Sequence, residues 1–270
     1  MSGFSTEWLD LREDADRRAR DAGLEARLAA HFAGRDDLRI VDLGCGTGAN
    51  ARALAPHLPD GQAWRFVDHD VDLLAAAQSR MAAWAGADAD RRPLDITYQM
   101  ADLGGDLRAV VRPGDDLVTA AAFFDLVSPE WMARFVAAVG EAEAAFYTVL
   151  IYDGEEIWMP AHPADKAVLQ AFRQHQQRDK GFGPAAGPEA ADLLIRAFAE
   201  AGYEVHVAAS PWRLGAPDTA LIRALAQGTA KAAQETGLVD ADTAESWRAA
   251  RAEADAAIIG HVDLLALPRV

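Results

Sequence analysis

A chain of 270 residues with 51% hydrophobic and 25% charged side chains carries enough apolar material for a large packed core and is too hydrophobic for intrinsic disorder. Its 26 Lys and Arg against 42 Asp and Glu leave a formal charge of −16, a field that repels phosphate backbones and anionic lipid, so neither nucleic acid nor membrane is an expected partner. The single cysteine, Cys45, excludes an internal disulfide and a Cys-based metal cage; no metal site is expected, and without a leader-like or membrane-spanning run the expected compartment is the cytoplasm.

In chain order, residues 5–32 place Trp8, Leu11, Leu24, Leu28 and Phe32 at helical spacing. From about 38 to 210, short β-prone apolar runs alternate with Ala-rich helical stretches, the pattern of a parallel sheet with helices on both faces. Strands are predicted at 39–43, 64–67, 96–100, 116–120, 144–151, 203–208 and 261–266. Seven strands fit an α/β fold with one doubly wound, mostly parallel sheet. Residues 152–188 interrupt the alternation with His, Trp, Lys and two Gly-Pro steps, and 210–260 reads as two helices, 217–235 and 240–259, parted by Gly237. The chain thus reads as one domain: a helical lid at 1–36, a core at 37–209 that includes 152–188 as acceptor loop and helix, a helical insertion at 210–260, and a last strand at 261–270. The three excursions are expected to gather at one end of the sheet.

The most specific signal is Ile40-Val41-Asp42-Leu43-Gly44-Cys45-Gly46-Thr47-Gly48-Ala49-Asn50, a buried strand running into a glycine-rich turn and a helix at 51–57. Glycines let backbone approach a ligand without Cβ obstruction. A dinucleotide site wants G-x-G-x-x-G with a pyrophosphate at the helix N-terminus. Here the spacing is G-x-G-x-G, preceded by Asp42, a carboxylate that repels pyrophosphate and attracts an amino group. The run from Asp42 to Gly48 resembles the first motif of the class I S-adenosylmethionine (SAM)-dependent methyltransferases.

That resemblance implies a Rossmann-like fold, SAM as cofactor, and cofactor contacts from Asp42, Gly44, Cys45 and Gly46. Further along, Asp68 at the end of the second strand aligns with the family's ribose-binding acid, with His69 beside the adenine; Asp70 competes with Asp68 but also fits as the N-cap of a helix at 71–84. Asp102 and Leu103 resemble the adenine-binding pair after the third strand. The fourth strand resembles the family's fourth motif, with Ala120 under the methionine moiety and Asp125 nearer the acceptor. The Asn/Asp-Pro-Pro-aromatic tetrapeptide of adenine and amide N-methylating members is missing, which together with the acidic charge points to a small-molecule acceptor with a nitrogen, oxygen or sulfur nucleophile.

Acceptor residues are expected where parallel strands end. Tyr152 and Asp153 follow the fifth strand, Trp158 offers an aromatic wall, His175 a base near neutral pH, and Lys180 an anion anchor. His175, Asp179 and Lys180 also fit a solvated helix end. The core motifs supply no cation for the methionine carboxylate. Arg12 is the candidate, with Arg17, Arg18 and Arg20 competing; most of these should pair with nearby acids at helical spacing. Two other readings use the same pocket: a non-catalytic SAM-binding or interaction protein, and an NAD-type dinucleotide enzyme, which Asp42 and the glycine spacing oppose.

Overall fold

The computed structural model describes residues 4–88 and 94–269, so the outermost ends of the predicted first and last segments, 1–3 and 270, lie outside the described residues. Two helices open the chain, α1 (Thr6–Ala19) and α2 (Ala22–His31). Each starts on a side chain that accepts an otherwise orphaned first-turn N–H: Ser5 from Trp8, Asp21 from Leu24. Then come β1 (Leu38–Leu43), α3 (Ala49–Leu54), β2 (Gln62–Asp68), α4 (Val71–Gly86), β3 (Asp95–Met100), β4 (Leu117–Ala121) and α5 (Pro129–Ala142). The second half holds β5 (Ala145–Met159), α6 (Asp165–Gln176), α7 (Ala190–Glu200), β6 (Glu204–Ala209), β7 (Trp212–Leu214), α8 (Thr219–Glu235), α9 (Ala241–Ala252) and β8 (Ala256–Leu267).

The strands form one sheet in the order β3-β2-β1-β4-β5-β8-β6, with β7 paired to β8. Pairings from β3 through β5 are parallel, and β8 runs antiparallel to β5, β6 and β7. The chain leaves β1 for β2 on one side and later returns to β4 on the other, which opens a crevice at the carboxyl ends of these strands. Apolar cores lie on both faces. One contains Leu28, Ile40, Trp64, Phe66 and Met81; the other is dominated by the packed rings of Phe124, Trp131, Phe135, Phe146 and Phe198. Beyond the strand ends, α6, α8 and α9 pack together on the insertion side. Trp247 and the almost fully buried Arg251 both donate to Asp165 there. Among the described residues, no helix is long and apolar enough to cross a membrane.

Among the described residues the sheet has the seven expected strands plus the short β7, and two boundaries correct the sequence reading. β5 continues to Met159, so 152–159 is strand, not loop. The period-two signal is present: Tyr152, Gly154 and Trp158 are buried while Glu155, Ile157 and Met159 are exposed. It is disguised by Glu156, an inward acid that accepts from the Tyr152 hydroxyl and the Trp158 indole, both at 2.9 Å. The helix expected at 240–259 stops at Ala252, and Ala256–Ile259 instead pairs with β5 and β7 as the start of β8. β7 itself, only three residues long, is stabilised by its partner rather than by its own pattern.

Candidate functional site

Gly44, Gly46 and Gly48 all have positive φ, and Gly48 caps α3 at φ 78°. A Cβ at Gly48 would lie 2.9 Å from the Phe66 ring, so both backbone conformation and space demand glycine there. The turn brings the amide of Gly46 to the end of β2, where it donates to Asp68 Oδ2 at 2.9 Å. Asp68 Oδ1 accepts the Asp70 amide at 3.0 Å and lies 3.3 Å from His69 Nδ1. Asp70 turns the other way and caps α4 through the amides of Asp72 and Leu73. Cys45 is buried in the turn, and burial pushes its thiol up, with Asp42 and Asp68 adding to the effect.

Asp42, on β1 beneath the turn, is fully buried. Its Oδ1 accepts from Asn50 Nδ2 at 2.7 Å, while Oδ2 has no partner. Asn50 also donates to Thr119 and accepts from Arg20 Nη1 at 2.9 Å. Arg20, in turn, pairs with Glu25 at 2.6 Å and lies over the Tyr147 ring, but its Nη2 is buried and unpaired. A buried carboxylate oxygen and a buried guanidinium nitrogen are therefore left with open valences around Asn50. Asn50 and Arg20 also line a cavity of about 300 Å³, together with Ala121 and Leu150 at the strand ends and Asp16 on α1.

Leu150, which lines this space, is strained at φ 61° in β5, and so is Ala122, which follows the lining Ala121 just past β4, at φ 50°. Leu150 sits in a bulge between Thr148 and Ile151 where β5 loses register with β8. The Asp263 carboxylate holds the Leu150 amide at 2.9 Å, and also accepts from Ser210 Oγ at 2.6 Å and the Asp21 amide at 2.9 Å.

Helix α1 crosses the strand ends and is tied down along its length. Asp10 pairs with Arg80 on α4, Glu13 with Arg52 on α3, and Arg18 with Asp218 before α8. A Cβ at Gly46 would lie 3.0 Å from Leu9, so α1 covers the glycine turn directly.

The remaining sequence candidates are spread out. Asp102 closes its own turn by accepting the Gly104 amide, Leu103 is buried with its carbonyl on the Trp131 indole, and Ala120 is fully buried in β4. Arg12 does not stand free for a carboxylate: it pairs with Asp16 through two bonds and lies over Trp212 at 5.0 Å. Asp125 is buried after β4, and burial raises its carboxyl to about 6 despite the nearby Arg12. Tyr152 is buried with its hydroxyl on Glu156, and burial and that acid push the phenol far above its ordinary range. Asp153 points to the other side of the strand, where a Cβ at Gly260 would overlap its carboxylate. Trp158 packs edge-on against Trp247 inside the insertion. His175 lies 2.9 Å from Glu235 and binds α6 to the end of α8, as a structural clamp does. Lys180 forms no ion pair with a described residue, in a turn whose Phe182 packs against Phe123 and Trp131. Among the described residues no cluster of His, Cys, Asp and Glu is arranged to hold a metal ion.

Sequence reasoning did not single out Asn50, which lines the cavity, and ranked Arg12 above Arg20. Asn50 was legible, since a polar residue on the first turn after the glycines faces the same space as Asp42.

Asp42 has a pH consequence. Burial raises its carboxyl to about 7, against the opposing Asn50 hydrogen bond and Arg20 charge. In the unfolded chain an aspartate ionises near pH 4. Between those values the folded state holds a proton the unfolded chain has lost, so the contribution is full below about 4 and vanishes as pH rises through 7. Asp42→Asn is therefore expected to become more stable relative to wild type with rising pH across this window. Thermal melts at pH 4.5 and 7.5 check this, and a pH-independent difference would contradict it.

No protein-family model matches the chain, and no curated protein sequence does. Solved structures do. The YcgJ protein of Bacillus subtilis is 14% identical with a TM-score of 0.53, over 93% of this chain and 100% of that one. The cyclopropane synthase MmaA2 of Mycobacterium tuberculosis is 12% identical with a TM-score of 0.51, over 97% and 94%. A Bacillus halodurans protein assigned as a methyltransferase, BH2331, is 13% identical with a TM-score of 0.50, over 91% and 99%. With its strand order, its glycine turn after β1 and these structural neighbours, the protein has the fold of the class I methyltransferases.

Proposed function

We propose that the protein is a SAM-dependent methyltransferase acting on a small-molecule acceptor. The observation that carries this reading is the pairing of the glycine turn with Asp68: a carboxylate held at the tip of β2 by the Gly46 amide suits two ribose hydroxyls. The open valences fit the rest of the cofactor. Asp42 offers an anion to its ammonium, Arg20 a cation to its carboxylate, and the fit is chemical: opposite charges meet unpaired buried atoms. His69, Asp102 and Leu103 flank the adenine in this reading, and Ala120 leaves room for the methionine chain.

When bound, SAM supplies an electrophilic methyl on a sulfonium. The protein's part is to hold that methyl in line with the acceptor and to exclude water, and α1, with its three ion pairs to α3, α4 and the segment before α8, is the covering element. The charge of −16 disfavours a nucleic-acid acceptor, and a lone buried thiol suits the reducing cytoplasm.

Asp68→Ala is expected to weaken SAM binding by roughly 1.5–3 kcal/mol, the scale of hydrogen bonds to a charged group. Titration calorimetry measures it. Unchanged affinity in Asp68→Ala with a loss in Asp70→Ala would move the ribose site, and no loss in either would falsify the cofactor assignment. Methyl transfer from labelled SAM to a metabolite extract then separates an enzyme from a protein that only binds SAM.

A further inference from the structure

Asn50 stands between the two buried charges that keep open valences. It lies on the first turn of α3, is 6% exposed, and reaches two strands and the junction of α1 and α2 through one side-chain amide. The amide nitrogen donates to Asp42 Oδ1 on β1 at 2.7 Å and to Thr119 Oγ1 on β4 at 3.1 Å. The amide oxygen accepts from Arg20 Nη1 at 2.9 Å. Chemistry dictates this orientation, because a guanidinium has no acceptor and must meet the oxygen.

A carboxylate and a guanidinium that share one neighbour would pair directly if nothing separated them, through two parallel bonds that engage both oxygens and two nitrogens. Here they do not. Each uses one atom on the Asn50 amide, and each keeps another buried without a partner: Oδ2 of Asp42 and Nη2 of Arg20. Because the amide is neutral, it satisfies hydrogen bonds without cancelling either charge. Glu25, 2.6 Å from Arg20 Nε, and the Tyr147 ring beneath the guanidinium fix Arg20 in place and still leave Nη2 open. Arg20 and Asn50 both line the cavity of about 300 Å³. An anion and a cation held one amide apart match an α-amino acid, whose ammonium and carboxylate are one carbon apart.

We propose that Asn50 is a positioning residue, a spacer that keeps Asp42 and Arg20 from pairing with each other and so makes the site selective for a ligand end that carries both an ammonium and a carboxylate. This rests on the cofactor reading above and adds a requirement to it: neither charge of the amino-acid end is dispensable. A spacer differs from a merely structural asparagine in what its loss does to Asp42. The charged and titratable groups around Asp42 are Arg20 at the junction of α1 and α2, Asp68 on β2 and the Cys45 thiol of the glycine turn. The Asn50 hydrogen bond lowers the Asp42 carboxyl, so losing it with nothing in its place raises the carboxyl further. Arg20 closing onto Asp42 lowers it instead. The two cases have opposite signs in stability: a lowered carboxyl removes the loss that wild type undergoes as pH rises through about 7, and a raised one extends it.

The test uses the full chain, wild type and with Asn50→Ala or Asn50→Ser. Titration calorimetry reads the binding of S-adenosylhomocysteine, its decarboxylated and deaminated analogues, and adenosine. Wild type should bind S-adenosylhomocysteine at least about tenfold more tightly than either analogue. Asn50→Ala should cut that preference to within about threefold while adenosine affinity stays within about twofold, the sign of an intact fold. Asn50→Ser, whose hydroxyl can donate to one neighbour and accept from another, should keep more of the preference. In thermal melts at about pH 4.5 and about pH 7.5, Asn50→Ala should gain on wild type with rising pH. Three results each overturn the proposal: wild type indifferent to the loss of either charge, Asn50→Ala with the full preference, or Asn50→Ala that holds level with or falls behind wild type as pH rises. If wild type does not bind S-adenosylhomocysteine at all, the cofactor reading has failed and the spacer with it. Binding with a preference that Asn50→Ala retains rejects the spacer alone.

Discussion

Asp263→Ala should destabilise the protein by roughly 3–5 kcal/mol, the largest stability loss expected of a single side chain here. Asp263 lies on β8, fully buried, and accepts three hydrogen bonds: from the Leu150 amide, the Ser210 hydroxyl and the Asp21 amide. Alanine leaves the buried Leu150 and Ser210 donors, and the half-buried Asp21 amide, without this acceptor. The Leu150 bond matters most, because it holds a leucine at φ 61° in the bulge that borders the cavity. Asp21 adds a second consequence, since its amide anchors the start of α2 next to Arg20. Urea denaturation with fluorescence detection measures the loss. A change below about 1 kcal/mol would mean that water or neighbouring carbonyls satisfy these groups. Asp263→Asn, which keeps one carbonyl oxygen but places an amide against at least one donor, should fall between wild type and alanine.

Arg20→Met carries the largest expected effect on ligand binding. The guanidinium is buried, donates to Asn50 and Glu25, and leaves Nη2 free beside the cavity. Removing a charge-assisted pair to the methionine carboxylate should weaken SAM about 100-fold. Adenosine lacks the methionine moiety, so its affinity should hardly move. That contrast separates a lost carboxylate contact from a collapsed site, which would weaken both ligands equally. The substitution also leaves Glu25 without its guanidinium, so binding is compared well below the melting temperature of the variant. Equal retention of SAM and adenosine affinity by Arg20→Met would return the carboxylate to another cation, with Arg17 and Arg52, which also line the cavity, next in line.

The glycine-turn half of the molecule was open to sequence reading for a local reason. Asp42, Gly44, Gly46, Gly48 and Asn50 lie within nine residues, and a strand, turn and helix place them by short-range geometry alone. Asp68 follows at the end of the next strand, where parallel pairing in register with β1 puts Leu43 opposite Val67 and the carboxylate at the tip. Alternation of strand and helix fixed the layer architecture, because each apolar run was long enough for one buried strand and each helical stretch long enough to cross back. The cap role of Asp70 was equally local.

The placement of the residues offered for an acceptor depended on contacts across the whole chain. His175 and Lys180 look like a reactive pair in sequence, but α6 carries the histidine to Glu235 on α8, 60 residues away, and leaves the lysine in a separate turn. Tyr152 and Asp153 are adjacent, yet strand geometry sends their side chains to opposite faces, a separation hidden until β5 was known to continue to Met159. Arg12 and Arg20 occupy similar charge patterns about two helical turns apart. Which of them is held at Asn50 is decided by the packing of α1 and α2 against the sheet. Composition, charge and the glycine motif therefore determine the fold class and the conformation of the glycine turn, since these follow from periodicity and backbone freedom within a few residues. The contacts of Arg12 with Trp212, and of His261 with Trp212 and Tyr152, arise only when β8 pairs antiparallel with both β5 and β7 beneath α1, because side chains as many as 249 positions apart meet through strand register and helix packing, which no local pattern encodes.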